Sequence, residues 1–94
     1  MQVLHFPSKQ EIINYLRCHP STKNLCLTDE KIIDLVANFF SNEKNCKAEN
    51  VGLGVNLAIN RKFTLPAPQL LIITINLADA LIDCANGKKM HSNL

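Results

Sequence analysis

The chain is poor in aromatic side chains, in glycine and proline, and in charge. It has no tryptophan and only 5% aromatic residues, which argues against a surface on which nucleic-acid bases stack. Three glycines and four prolines in 94 residues are too few for a collagen-like or linker sequence. Charged residues make up 19% and hydrophobic ones 47%, a balance that also excludes an intrinsically disordered chain. We therefore predict one folded domain over residues 1–94.

Basic residues barely exceed acidic ones. Ten Lys and Arg against eight Asp and Glu give a formal net charge of +2, and the only arginines are Arg17 and Arg61. Arginine supplies the bidentate contacts to phosphate and to guanine. The composition therefore does not favour a nucleic-acid-binding protein.

The sequence also lacks a long apolar run and a basic leader. Its longest uncharged stretch, 63–78, has 16 residues and contains two prolines, whereas a membrane-spanning helix needs about 20 apolar residues. The N-terminal ten residues do not follow the pattern of a secretory signal. We expect a soluble, cytoplasmic protein that makes no membrane contact.

No metal-binding pattern is present among the cysteines and histidines, which are Cys18, Cys26, Cys46, Cys84, His5, His19 and His91. The cysteines are separated by 7, 19 and 37 intervening residues. Zinc ligands usually occur in pairs two to four residues apart. We predict reduced structural thiols, no metal and no cofactor.

Capping signals and apolar periodicity predict four helices. Ser8 followed by Glu11 is a capping box, and Thr28 followed by two acidic residues is a second helix start. Asn86 and Gly87 are typical of a helix end. The prediction is a mainly α, single-domain bundle with helices near 9–18, 29–40, 51–60 and 67–85, followed by a flexible tail over 87–94.

The segment 51–60 fits two structures. Its apolar residues alternate with small or polar ones, as in a half-buried strand, but Val51, Val55 and Ile59 also form a helical stripe. The β-branched run of 72–75 is compatible with a strand as well. The alternative is therefore an α+β fold with strands near 2–6, 51–59 and 69–75.

As a helix, 66–86 is apolar around most of its circumference. Its polar residues form one narrow stripe, which we interpret as a solvated face: Asn76, Asp79, Asp83 and Asn86. Such a helix needs neighbours on more than one side, and a short chain provides few. Either the chain buries it completely, or it is an interface carried by Leu71, Ile75, Ala78 and Ile82. We favour the interface, in a non-enzymatic adaptor or inhibitor that binds another protein and forms a homodimer.

A second hypothesis is a DNA-binding regulator of the helix-turn-helix type. In a helix over 50–62, Asn56 and Asn60 share a face, with Arg61 and Lys62 at its end. Asparagine pairs with adenine edges, and basic side chains contact phosphates. The connection to the preceding helix, residues 42–50, is longer than the usual three to four residues.

No catalytic residue set is predicted. Asp79 and Asp83 lie four residues apart, but no histidine or further acidic motif accompanies them. Adjacent Cys18 and His19 do not face each other in a helix, and they stand at a helix end before a proline. The glycines of 52–54 lack the third glycine and the lysine of a phosphate loop, so we interpret them as close backbone packing.

Overall fold

Five α-helices follow one another in the part of the chain that the computed structural model describes, residues 2–23, 25 and 27–87. They are α1 (Lys9–Cys18), α2 (Pro20–Lys23), α3 (Asp29–Phe40), α4 (Val51–Lys62) and α5 (Ala67–Ala85). Two short 3₁₀ turns, Glu43–Cys46 and Ala48–Asn50, connect α3 with α4. Of the tail predicted for 87–94, the residues from 88 onward lie outside the described ones.

The mainly α prediction is confirmed, and the α+β alternative is wrong. Residues 51–59 and 69–75 lie inside α4 and α5. Residues 2–6 form no strand in the described structure. They make one isolated β-bridge, between Val3 and Lys47. The physical reason lies in α4, where burying one helical stripe hides Val51, Val55 and Ile59 but leaves Leu53 and Leu57 exposed. A strand with the same alternation would instead place all five on one face.

Both predicted helix starts are confirmed. The Ser8 side chain accepts a hydrogen bond from the Glu11 backbone N–H at 3.3 Å. The Thr28 hydroxyl accepts one from the Lys31 backbone N–H at 3.2 Å. Each bond satisfies a backbone donor that has no partner within its own helix, so α1 and α3 begin where the sequence predicts.

The end of α5 is also as predicted, whereas the start of α4 has no side-chain cap. Gly87 has a φ of +71°, and its N–H donates to the Cys84 carbonyl at 3.1 Å, a helix end for which glycine is favoured. Asn50 makes no cap at the start of α4. Its side-chain amide donates instead to the Lys44 carbonyl at 3.0 Å. Asn50 thus connects the start of α4 to the 3₁₀ turn Glu43–Cys46.

The core lies where α1, α3, α4 and α5 meet. Its largest fully buried side chains are Phe39, Ile12, Ile59 and Val51, one or two from each of α1, α3 and α4. Helix α5 packs against α1, α2 and α4 and contributes Leu77, Ala80 and Leu81. Within the described part of the chain, one side of α5 therefore remains without a neighbour.

Two glycines of α4 form a matched pair for a stability test. A Cβ atom on Gly54 would lie 2.5 Å from Cγ of Asn45, whereas one on Gly52 would meet nothing within 4 Å. Asn45 cannot easily move, because its amide donates to the Phe39 carbonyl at 2.8 Å. We expect Gly54→Ala to lower the free energy of unfolding by about 1–3 kcal/mol, and Gly52→Ala to raise it by about 0.5–1 kcal/mol. Urea denaturation measures both, and equal effects would contradict the close contact.

Candidate functional site: the outer face of α5

One side of α5 is apolar and open to solvent. Leu71, Ile72 and Ile75 keep 59%, 56% and 57% of their surface exposed, and Ala78 and Ile82 are half-buried. At 100° per residue, these five residues fall within about 120° of the helix circumference. We call them the α5 outer face.

The predicted interface residues thus lie together, with one addition. Leu71, Ile75, Ala78 and Ile82 share the outer face, and none of them is fully buried. Ile72 joins them because it lies one turn before Ile75. The same turn spacing could have identified it from the sequence. Complete burial of this helix by its own chain, the other expectation, does not occur in the described structure.

The apolar surface continues from α5 toward α4. The amide of Asn56 on α4 donates to the Thr74 hydroxyl on α5 at 3.3 Å, which locates the seam between the helices. On the solvent side of this seam α4 presents Leu53, 61% exposed, and Leu57, 47% exposed. Both helices therefore expose apolar side chains to solvent, and on α4 these lie beside the amides of Asn56 and Asn60.

The other border of α5 is polar and contacts the corner between α1 and α2. His19 Nε2 lies 2.9 Å from Asp83 Oδ2, and the Ser21 hydroxyl donates to Asp79 Oδ2 at 3.1 Å. The stripe interpreted as a solvated face therefore includes a contact between helices, and in this respect the interpretation was wrong. The Asp83 side chain is only 19% exposed.

The surroundings of His19 determine its tautomer. Its Nδ1 accepts a hydrogen bond from the Ser21 backbone N–H at 3.0 Å. Nδ1 therefore carries no proton, and Nε2–H donates to Asp83. The Tyr15 ring lies against the imidazole, with 5.5 Å between centroids. Burial, and then the Asp83 carboxylate, raise the pKa of the Tyr15 hydroxyl.

This polar cluster does not form a hydrolytic triad. A serine nucleophile must donate its hydroxyl proton to the histidine, but the Ser21 hydroxyl points to Asp79 while His19 Nδ1 faces a backbone N–H. The arrangement instead fixes the α1–α2 corner against α5. It was missed because 64 residues separate His19 from Asp83 and no local pattern connects them.

The thiols differ in exposure. Cys18 is exposed at the end of α1, Cys46 is half-buried and Cys84 is buried, and all three are free. Burial raises the pKa of both Cys46 and Cys84, which favours the unreactive thiol over the thiolate. Among the described residues no group of three or more His, Cys, Asp or Glu is placed to hold a metal ion. Cys26 lies outside the described residues.

The four residues of the DNA-binding hypothesis lie on α4, which is a helix as that hypothesis requires. The side-chain amides of two of them already make hydrogen bonds within the protein. Asn56 donates to Thr74, and Asn60 donates to Asn56 Oδ1 at 3.1 Å. Arg61 and Lys62 are exposed in the last turn. Since Leu53 and Leu57 are exposed on the same side as Asn60, the surface offered to a base edge is largely apolar.

Length and hydropathy of α5 also satisfy the criteria for a membrane span. An 18-residue window of this helix has a mean hydropathy of 1.4, and 33% of the window is buried. Core helices of soluble proteins satisfy the same criteria, and α5 packs against three other helices and carries Asp79 and Asp83. A carboxylate within the hydrocarbon region is costly. The fold is compatible with a soluble protein.

Comparison of the chain with protein-family models, curated proteins and solved structures finds no match in any of the three.

Proposed function

We propose that this chain is a small, non-enzymatic, cytoplasmic protein of the adaptor or inhibitor type that binds protein through the α5 outer face and forms a homodimer. The observation that supports this most is the exposure of Leu71, Ile72 and Ile75, each above half, on a helix whose other sides are packed. Contiguous exposed apolar surface of this kind is typical of protein interaction sites.

The distribution of charge favours a second copy as the occupant. In a two-fold symmetric antiparallel pairing of α5 centred on Ile75, each residue lies opposite the one equally far on the other side of the centre. Asp79 then lies opposite Leu71 of the partner subunit. No two carboxylates face each other, because Asp79 and Asp83 are both on the same side of the centre. The pairing thus avoids like-charge repulsion, and it requires the exposed Asp79 to lie at the edge of the interface, where water reaches its carboxylate.

The available area predicts a weak dimer. Helix α5 has 19 residues and is therefore about 28 Å long. Together with the neighbouring strip of α4 the surface is about 20 Å wide, which gives about 560 Å². A standard interface covers about 800 Å² per partner. We therefore expect a dissociation constant of about 10–100 μM.

A lipid surface fits this face less well. Helices that lie on membranes carry lysine and arginine on their polar side, where they meet anionic headgroups. Residues 67–85 contain no basic side chain, and their two charges are the carboxylates Asp79 and Asp83. A membrane would therefore repel the polar border of α5.

Sedimentation equilibrium with two lysine variants tests the proposal. Ile75→Lys places a charge in the centre of the outer face, and we expect a monomer at every concentration up to about 500 μM, since a buried unpaired ammonium costs more than the weak dimer gains. Ile33→Lys is the matched control: Ile33 is 46% exposed on α3, away from the proposed interface, and this variant should dimerise like the parent.

The other outcomes are equally decisive. A parent protein that stays monomeric at millimolar concentration, or a dimer that persists in Ile75→Lys, would contradict the proposal. Binding to phosphatidylserine vesicles that Ile75→Lys abolishes would assign the face to lipid instead.

The DNA-binding alternative retains one supporting observation, which is that α4 is a helix with Arg61 and Lys62 exposed at its end. Fluorescence anisotropy with duplex DNA tests the DNA-binding alternative. We expect no binding at physiological salt. Salt-dependent binding that Arg61→Ala with Lys62→Ala removes would support the regulator and count against the dimer as the main function.

A further inference from the structure

A second apolar feature lies away from the α5 outer face, where the N-terminal half of α3 meets the end of α4. Here the structure has a cavity of about 180 Å³. Leu35 and Ile59, both buried, belong to its lining. Half-buried Leu27, Phe63 and Ile73 complete much of the wall.

One cationic side chain lines this cavity. Lys31 is the only charged residue among the described residues of the lining, and its Nζ lies 5.1 Å from the centre of the Phe63 ring. Asp34 is one helical turn further along α3, but no carboxylate among the described residues lies within 4 Å of the Lys31 ammonium. The cavity thus combines an apolar interior with one ammonium that has no ion-pair partner in that part of the chain.

The volume defines the size of molecule that fits. An apolar cavity of about 150 Å³ holds a benzene ring, so 180 Å³ accommodates one ring or a branched chain of similar size. Its charged group among the described lining residues is the Lys31 ammonium, which forms charge-assisted hydrogen bonds with a carboxylate. A dication, a sugar or a nucleotide would leave most of its polar groups without partners here.

We propose that this cavity binds small monocarboxylates with an apolar body the size of a phenyl ring. The ring lies among the half-buried side chains of Leu27, Phe63 and Ile73, and the carboxylate bonds to the Lys31 ammonium at the rim. The site is independent of the proposed dimer, because Leu71, Ile72 and Ile75 do not line the cavity.

Methyl NMR with benzoate and its neutral analogue benzamide tests the site. Benzoate should shift the methyl signals of Ile59 and Ile73 in a saturable way, with a dissociation constant of about 1 mM for a ligand of this size. Ile12, buried in the core and not part of the lining, should not shift. Benzamide should bind about fivefold more weakly, because it lacks the charge.

Two lysine variants separate the contribution of charge from that of the cavity. Lys31→Met keeps an apolar side chain at the rim and should bind benzoate no better than benzamide. Lys44→Met, which replaces another exposed lysine, on the 3₁₀ turn Glu43–Cys46, should behave like the parent protein. Unsaturable or absent shifts at Ile59 and Ile73 would overturn the proposal, and so would equal binding of benzoate by the parent and Lys31→Met.

Discussion

Replacing Phe39 by alanine is expected to lower the free energy of unfolding by about 3–5 kcal/mol. The side chain is 2% exposed, and its ring makes edge-to-face contacts with Phe6 at 6.3 Å and Phe40 at 4.9 Å between centroids. Truncation removes these contacts and leaves a cavity that the surrounding core fills only in part. Since a chain of this length has a total stability of about 5–14 kcal/mol, the substitution should remove between about a fifth of that stability and all of it.

Phe40→Ala is the matched control for this prediction. Phe40 is adjacent in the sequence and contacts the same Phe6 ring at 5.0 Å, but it is only half-buried. We expect it to cost about half as much as Phe39→Ala. Urea denaturation followed by circular dichroism compares the two, and an equal or larger loss for Phe40→Ala would contradict the placement of Phe39 at the centre of the core.

Replacing His19 by alanine is expected to cost about 2–3 kcal/mol. The imidazole is a hydrogen-bond partner for both Asp83 Oδ2 and the Ser21 backbone N–H, at 2.9 and 3.0 Å. Its side chain is only 7% exposed, so water cannot fully replace it. The loss should loosen the α1–α2 corner from α5, and amide hydrogen exchange in 19–23 should accelerate more than in α3.

Ser21→Ala serves as the control for the His19 contact. It removes the exposed hydrogen bond to Asp79 but keeps the backbone N–H that His19 accepts. We expect a cost of about 0.5 kcal/mol or less. A cost for His19→Ala no greater than that for Ser21→Ala would mean that the His19–Asp83 contact does not hold the two elements together.

Local chemistry made much of the fold predictable. The capping residues Ser8 and Thr28 act within three residues of themselves, and Gly87 ends α5 through its own backbone conformation. Such signals are complete in a short stretch of sequence, which is why the bounds of α1, α3 and α5 agree with the prediction. The 3₁₀ turns and α2 have no comparable pattern, and they were missed.

The parts of the fold that could not be predicted depend on contacts between residues far apart in the sequence. In α4, a strand and a helix pattern coexist in 51–60, and packing against the core and the 3₁₀ turn decides between them: Gly54 lies so close to Asn45 that a Cβ would not fit. The pairing of His19 with Asp83 requires the whole bundle. Neither contact has a signature in the residues next to it.

The outer face of α5 was predictable in part. The sequence predicts an excess of apolar circumference on this helix, and the structure leaves Leu71, Ile72 and Ile75 exposed. The four residues predicted for the interface lie on this open side, but whether the chain would bury them could not be derived from the sequence, because it depends on where α2 and α4 pack. The interface role of this face stays a prediction.

An isotope-filtered NOE experiment on an equimolar mixture of labelled and unlabelled protein tests the central claim most directly. At concentrations above the dimer dissociation constant, we predict intermolecular NOEs to the methyl groups of Leu71 and Ile75 and none to those of Ile33. Intermolecular NOEs confined to Ile33 or Val3, or none at all in a concentrated sample, would contradict the account.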